Sequence, residues 1–352
     1  MMRESSDLGS SMKDILRLLI KGQPLTQNQT RSAFEAMMSG TVPPAQVGAL
    51  LAIMAGRDPT VDELAGAASA MRQFVVPVLA PENVIDTCGT GGTGSRLFNV
   101  STTAALVAAA CDIPVAKHGN SAVTSRSGSS DVLSRLGVRV DVTPEVQARC
   151  VREIGVCFCF APRHHPAMRH VAEIRKSLGF ATIFNLMGPL TNPAGARRQL
   201  VGVPRLSLVG PMLEVLVRLG AVRAMVVCGT DPEEGLLCEL SIGGPTRVAL
   251  FDGQEIKTME LSSKDVGLPI SAAEDLRIAS AEDSAHKIRE ILSGRVGPAR
   301  DMVLLNTAAA LWVGGKVESL RDGVKLARNA IDSGRALQTL EKLAAITNNA
   351  VA

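Results

Sequence analysis

The chain has 352 residues and a formal net charge of +3, from 37 basic and 34 acidic side chains. Hydrophobic residues make up 46% and aromatic residues only 3%, with one Trp and no Tyr, so Ala, Val, Leu and Gly must do the packing. Such a composition excludes a disordered chain, a collagen and a disulfide scaffold, and so balanced a charge confines any anion site to a local cluster and argues against nucleic acid.

In chain order, residues 1–10 read as a polar arm with no continuous apolar signal core. Ile15, Leu16, Leu18 and Leu19 form one apolar helical face. Thr26 is the expected N-cap of a helix that stops at Gly40. Pro43 and Pro44 open a third helix that closes at Gly56, and Thr60 to Glu63 is a capping box leading into a fourth. After Pro81, short apolar strands alternate with helices. Strands are predicted at Val84–Asp86, Ile113–Ala116, Phe158–Phe160, Ala224–Val227 and Arg247–Leu250. Helices are predicted at Ser101–Ala110, Ser130–Leu136, Pro144–Ile154 with Thr143 as N-cap, Leu206–Leu219, Ala281–Leu292, Ala299–Gly314 and Leu320–Ala345. Asp231–Gly235 and Asp252–Ile270 read as surface loops. The expected fold class is α/β: a small N-terminal helical domain over residues 1–78, then a large α/β domain over 79–352 with a mainly parallel central sheet. Some helices near 166–200 are expected to pack on the helical domain.

The seven cysteines include no CxxC pair. A structural zinc site is therefore not indicated, and buried reduced thiols of a cytoplasmic protein are expected. No apolar run reaches membrane-spanning length free of charge.

The densest chemical signal is Asp86-Thr-Cys-Gly-Thr-Gly-Gly-Thr-Gly-Ser95, followed by Asn99-Val-Ser-Thr102. Glycines between a strand end and a helix start let backbone N–H groups approach a ligand, and the helix start adds free donors and a positive dipole end. The pattern also satisfies G-x-G-x-x-G. A dinucleotide site would place an acid after the next strand, but here Lys117-His-Gly-Asn120 follows it, which suits a second phosphate. Ser125-Arg-Ser-Gly-Ser-Ser-Asp131 is a third anion-friendly junction before a helix. His165-Pro-Ala-Met-Arg169 and Arg175-Lys-Ser-Leu-Gly179 offer cations for a carboxylate, or simply a solvated helix face. Glu239, at the end of a strand, could hold a hard cation over phosphates, although a lone loop glutamate is more often solvated.

These blocks, in this order, resemble the anthranilate phosphoribosyltransferase family. The resemblance runs from Leu25–Arg72 through GTGG, NVST, KHGN, SGSSDVL, HPAM, TIFNLMGPLTNP and QLVGV to LLNTAAALWVGG and GVKLARNAIDSGRAL. It implies the fold shared with pyrimidine nucleoside phosphorylases and a homodimer built on the helical domain. It implies transfer of the phosphoribosyl group of phosphoribosyl pyrophosphate to the amine of anthranilate, assisted by Mg²⁺, in tryptophan biosynthesis. By motif, Gly89, Gly92, Thr93, Leu97, Asn99, Val100, Ser101, Thr102, Lys117, His118, Gly119, Asn120, Ser125 and Ser129 would bind phosphoribosyl pyrophosphate. Gly89, Asn120, His165, Arg175 and Pro189 would line the anthranilate route, with Arg175 on the carboxylate. Ser101 and Glu239 would contact Mg²⁺, and no residue is assigned as acid or base.

Three departures from the family's usual pattern stand out. Thr93 replaces Asp after GTGG, Ser121 replaces Arg after KHGN, and Cys238 replaces Asp in the Asp-Glu pair. The loop before that pair looks long, and its Asp231, Glu233 and Glu234 could substitute for the missing acid if the loop folds inward, but read more readily as solvated. Two other functions stay open: a related transferase or phosphorylase for another aromatic amine or base, and a low-activity paralogue that binds nucleic acid or serves as a dimeric scaffold. The dimer is expected through Met12–Phe74, with Val47, Leu50, Leu51 and Met54 sharing one helical face.

Overall fold

The computed structural model describes residues 11–122 and 126–349; the polar arm and Ser125 lie outside them. Four helices come first: α1 (Met12–Ile20), α2 (Gln27–Met38), α3 (Pro44–Ala55) and α4 (Val61–Arg72). The chain then runs through β1 (Ile85–Gly89), α5 (Val100–Ala109), β2 (Val115–Gly119), α6 (Ser129–Arg135), α7 (Pro144–Ile154) and β3 (Val156–Phe160). A short turn, α8 (Ala161–His164), precedes α9 (Arg169–Leu178). After β4 (Arg198–Gly202) and α10 (Val209–Arg218) come β5 (Arg223–Asp231), β6 (Gly235–Leu237), β7 (Thr246–Phe251) and β8 (Ile256–Leu261). The last helices are α11 (Ala281–Leu292), α12 (Pro298–Val313), α13 (Leu320–Asp332) and α14 (Arg335–Asn348).

The chain forms two compact units. One comprises Met1–Val76 and His165–Thr191, the other Pro77–His164 and Asn192–Ala352. In the helical unit, Thr26 and Thr60 both form full capping boxes, with Gln29 and Glu63 answering the cap N–H. The small residues of α4 let α2 approach until a side chain on Gly66 would overlap Gln27 O. The face formed by Val47, Leu50, Leu51 and Met54 is at most 2% exposed. Helices α1 and α9 pack on α3, so the core of this unit consumes that face, and it is not free for the dimer contact expected of it.

In the larger unit the strand order is β3-β2-β1-β4-β5-β7-β8, with β6 beside β5. Pairing is parallel from β3 to β5 and antiparallel among β5, β6, β7 and β8. Chain order runs outward from β1 to β3, then returns to the other side of β1 as β4. That return is a topological switch point, where open α/β sheets bind ligands outside the carboxyl ends of their strands. Gly89 and Gly202 face each other there in register.

Several sequence-based expectations change. Strand β4 was not expected; it is the immediate neighbour of β1, with Gln199 to Gly202 buried. Asp252–Ile270 is not wholly loop, for it contains β8, an edge strand whose residues are exposed except Leu261. Leu320–Ala345 is two helices, because the chain turns at Ser333-Gly334 with Gly334 at φ +75°. Thr143 occupies the N-cap of α7 without a side-chain capping bond. All seven cysteines are buried and free. No helix among the described residues is long and apolar enough to cross a membrane.

Candidate functional site

The segment from Thr90 to Asn99 joins the end of β1 to the start of α5. Gly91, Gly92 and Gly94 have φ of +68°, +92° and +71°, a region that side chains disfavour. The loop therefore turns back repeatedly before it enters α5. Ser101 and Thr102 lie in the first turn of that helix, and Thr102 Oγ1 is buried with no hydrogen-bond partner. Asn99 is fixed from two sides: its Oδ1 accepts from Ser127 and Ser284, each at 2.8 Å. This joins the junction before α6 and the helix α11 to the start of α5.

Lys117 comes from β2 and is 4% exposed. Its Nζ donates to Thr87 O at 2.8 Å and to Ser101 Oγ at 3.3 Å, which leaves a cation beside the helix start. The His118 ring is buried, and its backbone N–H donates to Asp86. Gly119 packs where a side chain would overlap Ser129 Oγ and the Phe158 ring. The exposed Asn120 accepts at its carbonyl from Ser129 Oγ at 3.3 Å.

Cys238-Glu239 crosses these strand ends at close range. A Cβ on Gly202 would overlap Cys238 O, one on Gly229 would overlap Glu239 O, and one on Gly89 would stand 3.2 Å from Cys238 Cβ. The next residue is clamped by Asn306 of α12, whose side-chain amide accepts Leu240 N–H at 3.0 Å and donates to Leu240 O at 2.9 Å. Glu239 is half-buried. Burial raises its pKa to about 7, against the pull of Lys117. Burial, and then the Glu239 charge, push the Cys238 thiol well above its ordinary value, so it stays protonated. That thiol donates to Gly91 O at 3.5 Å.

A half-buried carboxylate and the Ser101 hydroxyl are hard oxygen donors and fit Mg²⁺, whereas a neutral thiol does not. Among the described residues no cluster of three or more His, Cys, Asp or Glu side chains could hold a metal alone, so a cation here would depend on oxygens from its ligand. Asp231 and Glu234 are buried rather than solvated, and Glu234 is paired with arginine.

The helical unit carries three further residues of interest. The Arg175 guanidinium on α9 lies 5.3 Å from the centre of the Phe184 ring, which in turn meets Phe34. Burial lowers the Arg175 pKa. No carboxylate among the described residues forms an ion pair with it. His165 and Pro189 are buried in the same unit.

Gly89, Gly92, Thr93, Asn99, Ser101, Thr102, Lys117, Gly119, Asn120 and Ser129 thus stand on β1 and β2, on the loops that follow them and on the first turns of α5 and α6. Val100 is fully buried in the core, and Leu97, partly buried against it, forms a β-bridge with Arg277. Sequence reasoning missed Asn306, Ser284 and Asn192. Asn306 left a sign, as a lone amide in the apolar run Leu304 to Trp312, and Asn192 stands in the block TIFNLMGPLTNP.

A helical unit, a mostly parallel sheet and a phosphate-type cradle at its switch point define a glycosyl transferase of two parts. Family models agree: "glycosyl transferase family, helical bundle domain" matches residues 13–75, and "glycosyl transferase family, a/b domain" matches 81–337. Anthranilate phosphoribosyltransferase from Rhodopseudomonas palustris (strain BisA53) is 47% identical over 96% of this chain and 98% of its own. The enzyme of that name from Rubrobacter xylanophilus is 46% identical over 96% and 97%. Among solved structures, that from Thermus thermophilus superposes with a TM-score of 0.88 at 40% identity, covering 95% of this chain and 99% of that one. The Saccharomyces cerevisiae enzyme, in complex with PRPP and Mg, gives 0.86 at 27% identity, over 96% and 98%. The chain belongs to the anthranilate phosphoribosyltransferase family.

Proposed function

We infer that this chain transfers the phosphoribosyl group of phosphoribosyl pyrophosphate to the amine of anthranilate, releasing pyrophosphate, as a step of tryptophan biosynthesis. The observation that carries the reading is the cradle at the switch point: the glycine-rich turn after β1 leads into the open start of α5, where the buried Lys117 donates to Ser101. Backbone N–H groups of the turn, Ser101, Thr102 and Lys117 would take the phosphate oxygens. Gly92, Asn120 and Ser129 would bound the rest of the donor. Ser125 keeps the same assigned role, from its motif alone. Arg175 would pair with the anthranilate carboxylate, beside His165 and Pro189.

The amine would attack the anomeric carbon as pyrophosphate leaves. An aromatic amine needs no strong base, and none is assigned. Catalysis then rests on positioning and on neutralising the leaving group. Mg²⁺, when bound, supplies part of that neutralisation, and Ser101 and Glu239 are the residues that would hold it. The alternative reading, a weakly active paralogue, is not favoured.

We place the reaction in the cytoplasm, which the seven free thiols support. We also propose a homodimer, since twofold assemblies are the commonest, but not through the buried face of α3. The functional test is a fluorescence assay with anthranilate, phosphoribosyl pyrophosphate and Mg²⁺. Anthranilate emission should fall only when all three are present. Steady emission with an intact, folded chain would defeat the reading.

A further inference from the structure

Glu234 stands in the hairpin between β5 and β6, and its side chain is only 3% exposed. One oxygen accepts the backbone N–H of Arg96 at 2.9 Å. The other accepts the guanidinium groups of Arg96 at 3.0 Å and Arg277 at 2.6 Å. Burial acts to raise its pKa, but these donors outweigh it and hold the carboxyl below its ordinary value. Asp231 supports the hairpin from within, for its Oδ1 accepts the N–H groups of Glu233 and Glu234.

Arg96 ends the glycine-rich loop. Its carbonyl accepts Ile278 N–H at 2.9 Å, and Phe98 N–H donates to Leu276 O at 3.0 Å. A few residues beyond Glu234, the Cys238 thiol donates to Gly91 O. One hairpin therefore grips the loop at two points, Gly91 and Arg96. Between them lie Gly92, Thr93 and Gly94, and a Cβ on Gly91 or Gly94 would meet nothing within 4 Å. Such a backbone is conformationally free unless its ends are fixed, and ordering it on binding would cost affinity.

We propose that Glu234 is a positioning residue that pre-sets the glycine-rich loop for the phosphate groups of the ribosyl donor. This rests on the reading that the loop binds phosphoribosyl pyrophosphate. It also gives a purpose to the long loop before Cys238, whose acids would otherwise be idle.

The test compares wild type with Glu234→Ala by steady-state kinetics and by hydrogen exchange of the unliganded chain. Glu233→Ala serves as control, because the Glu233 carboxylate pairs with Arg277 and not, among the described residues, with Arg96. Glu234→Ala should raise the KM for phosphoribosyl pyrophosphate roughly tenfold while kcat and the anthranilate KM stay within about twofold. Amides of residues 90–98 should exchange faster, with those of 113–120 unchanged. Glu234→Gln, which keeps an acceptor for Arg96 N–H, should fall between, and it carries the test if the alanine variant is recovered unfolded. Unchanged donor KM with unchanged exchange would overturn the proposal. So would faster exchange throughout the α/β unit, which would mean that Glu234 only supports the fold. If wild type fails to consume anthranilate, the substrate reading falls, and exchange, measured without substrate, still decides the latch.

Discussion

Asp86 and Asn192, 106 residues apart in the chain, meet through a 2.8 Å hydrogen bond from Asn192 Nδ2 to Asp86 Oδ2. The same amide nitrogen donates to Ala116 O at 2.8 Å, and Asn192 Oδ1 accepts Ala194 N–H. One side chain thus ties β1, β2 and the segment that enters β4. Asp86 is fully buried, and burial raises its pKa to about 6 although Lys117, Asn192 and the His118 N–H pull it down.

Asn192→Ala should therefore destabilise the chain by about 2 kcal/mol or more at pH 8, because a buried carboxylate loses a donor. The pH dependence has a definite sign. Asp86 titrates above its unfolded value of 3.8, so ionising it in the folded state costs on the order of 3 kcal/mol. That penalty is absent below the unfolded pKa and fully present once pH has risen through the folded one. Asn192 relieves it by favouring the ionised form. The deficit of the variant should then shrink as pH falls through about 6. Urea midpoints at pH 5 and pH 8 check this, and a deficit of equal size at both would show that Asn192 does not act through the Asp86 charge.

Gly202→Ala should be far more damaging than its size suggests. The added methyl would overlap Cys238 O and stand 2.9 Å from Cys238 Cα, so backbone must move. A loss of about 2 kcal/mol or more is expected, with activity lost further because Glu239 shifts. Gly210→Ala is the contrast: in the first turn of α10, nothing beyond its chain neighbours lies within 4 Å of the new methyl, and with Pro211 next in the chain it should change stability by less than about 1 kcal/mol. Thermal melts of the pair decide this; equal losses in both would contradict the close crossing.

The fold was legible where local chemistry decides it. The N-cap at Thr26 and the capping box at Thr60 need only neighbours three residues away, and both formed as read, Thr26 adding a full box with Gln29. Strand β4 was hidden because Leu200 to Val203 is a single short apolar run, closed by Gln199 and Pro204. Strand β8 was hidden because an exposed edge shows no buried alternation. In the site, the glycines and hydroxyls were visible because phosphate binding draws on adjacent backbone. Asn306, Glu234 and Ser284 were not, because each acts on a backbone atom 66, 138 or 185 residues distant. No spacing rule reaches that far.

Arg175→Ala should raise the KM for anthranilate much more than that for phosphoribosyl pyrophosphate. The guanidinium is half-buried above Phe184, with no carboxylate of its own among the described residues. A bidentate partner in such a place is worth roughly 2 kcal/mol, so weakening of tenfold or more is expected. Arg175→Lys should recover little, because an ammonium lacks the planar fork. Initial rates with each substrate varied in turn provide the check. An unchanged anthranilate KM in a folded variant would remove Arg175 from the substrate's path.

The metal turns on Cys238 and Glu239. Pyrophosphate leaves with several negative charges, and a cation that neutralises them must find oxygen donors. Glu239 supplies one carboxylate, whose pKa burial raises to about 7 against the pull of Lys117. Cys238 supplies a protonated thiol already turned to Gly91 O, so it adds neither charge nor a hard ligand. Mg²⁺ should accordingly bind largely through the phosphate oxygens of the substrate, with Glu239 as the main carboxylate of the protein. Cys238→Asp should lower the Mg²⁺ concentration for half-maximal activity, because a second acid then stands beside Glu239. It should also cost some stability, since it ends the thiol's bond to Gly91 O and crowds two carboxylates in a desolvated site when no metal is present. Glu239→Ala should nearly abolish activity while leaving the fold intact, because its side chain is not part of the core. Titrating Mg²⁺ against activity in the three proteins, with melting curves taken with and without Mg²⁺ and pyrophosphate, reads both effects. If Cys238→Asp leaves the Mg²⁺ midpoint where it was and Glu239→Ala keeps full activity, the segment that crosses Gly89 and Gly202 does not carry the metal.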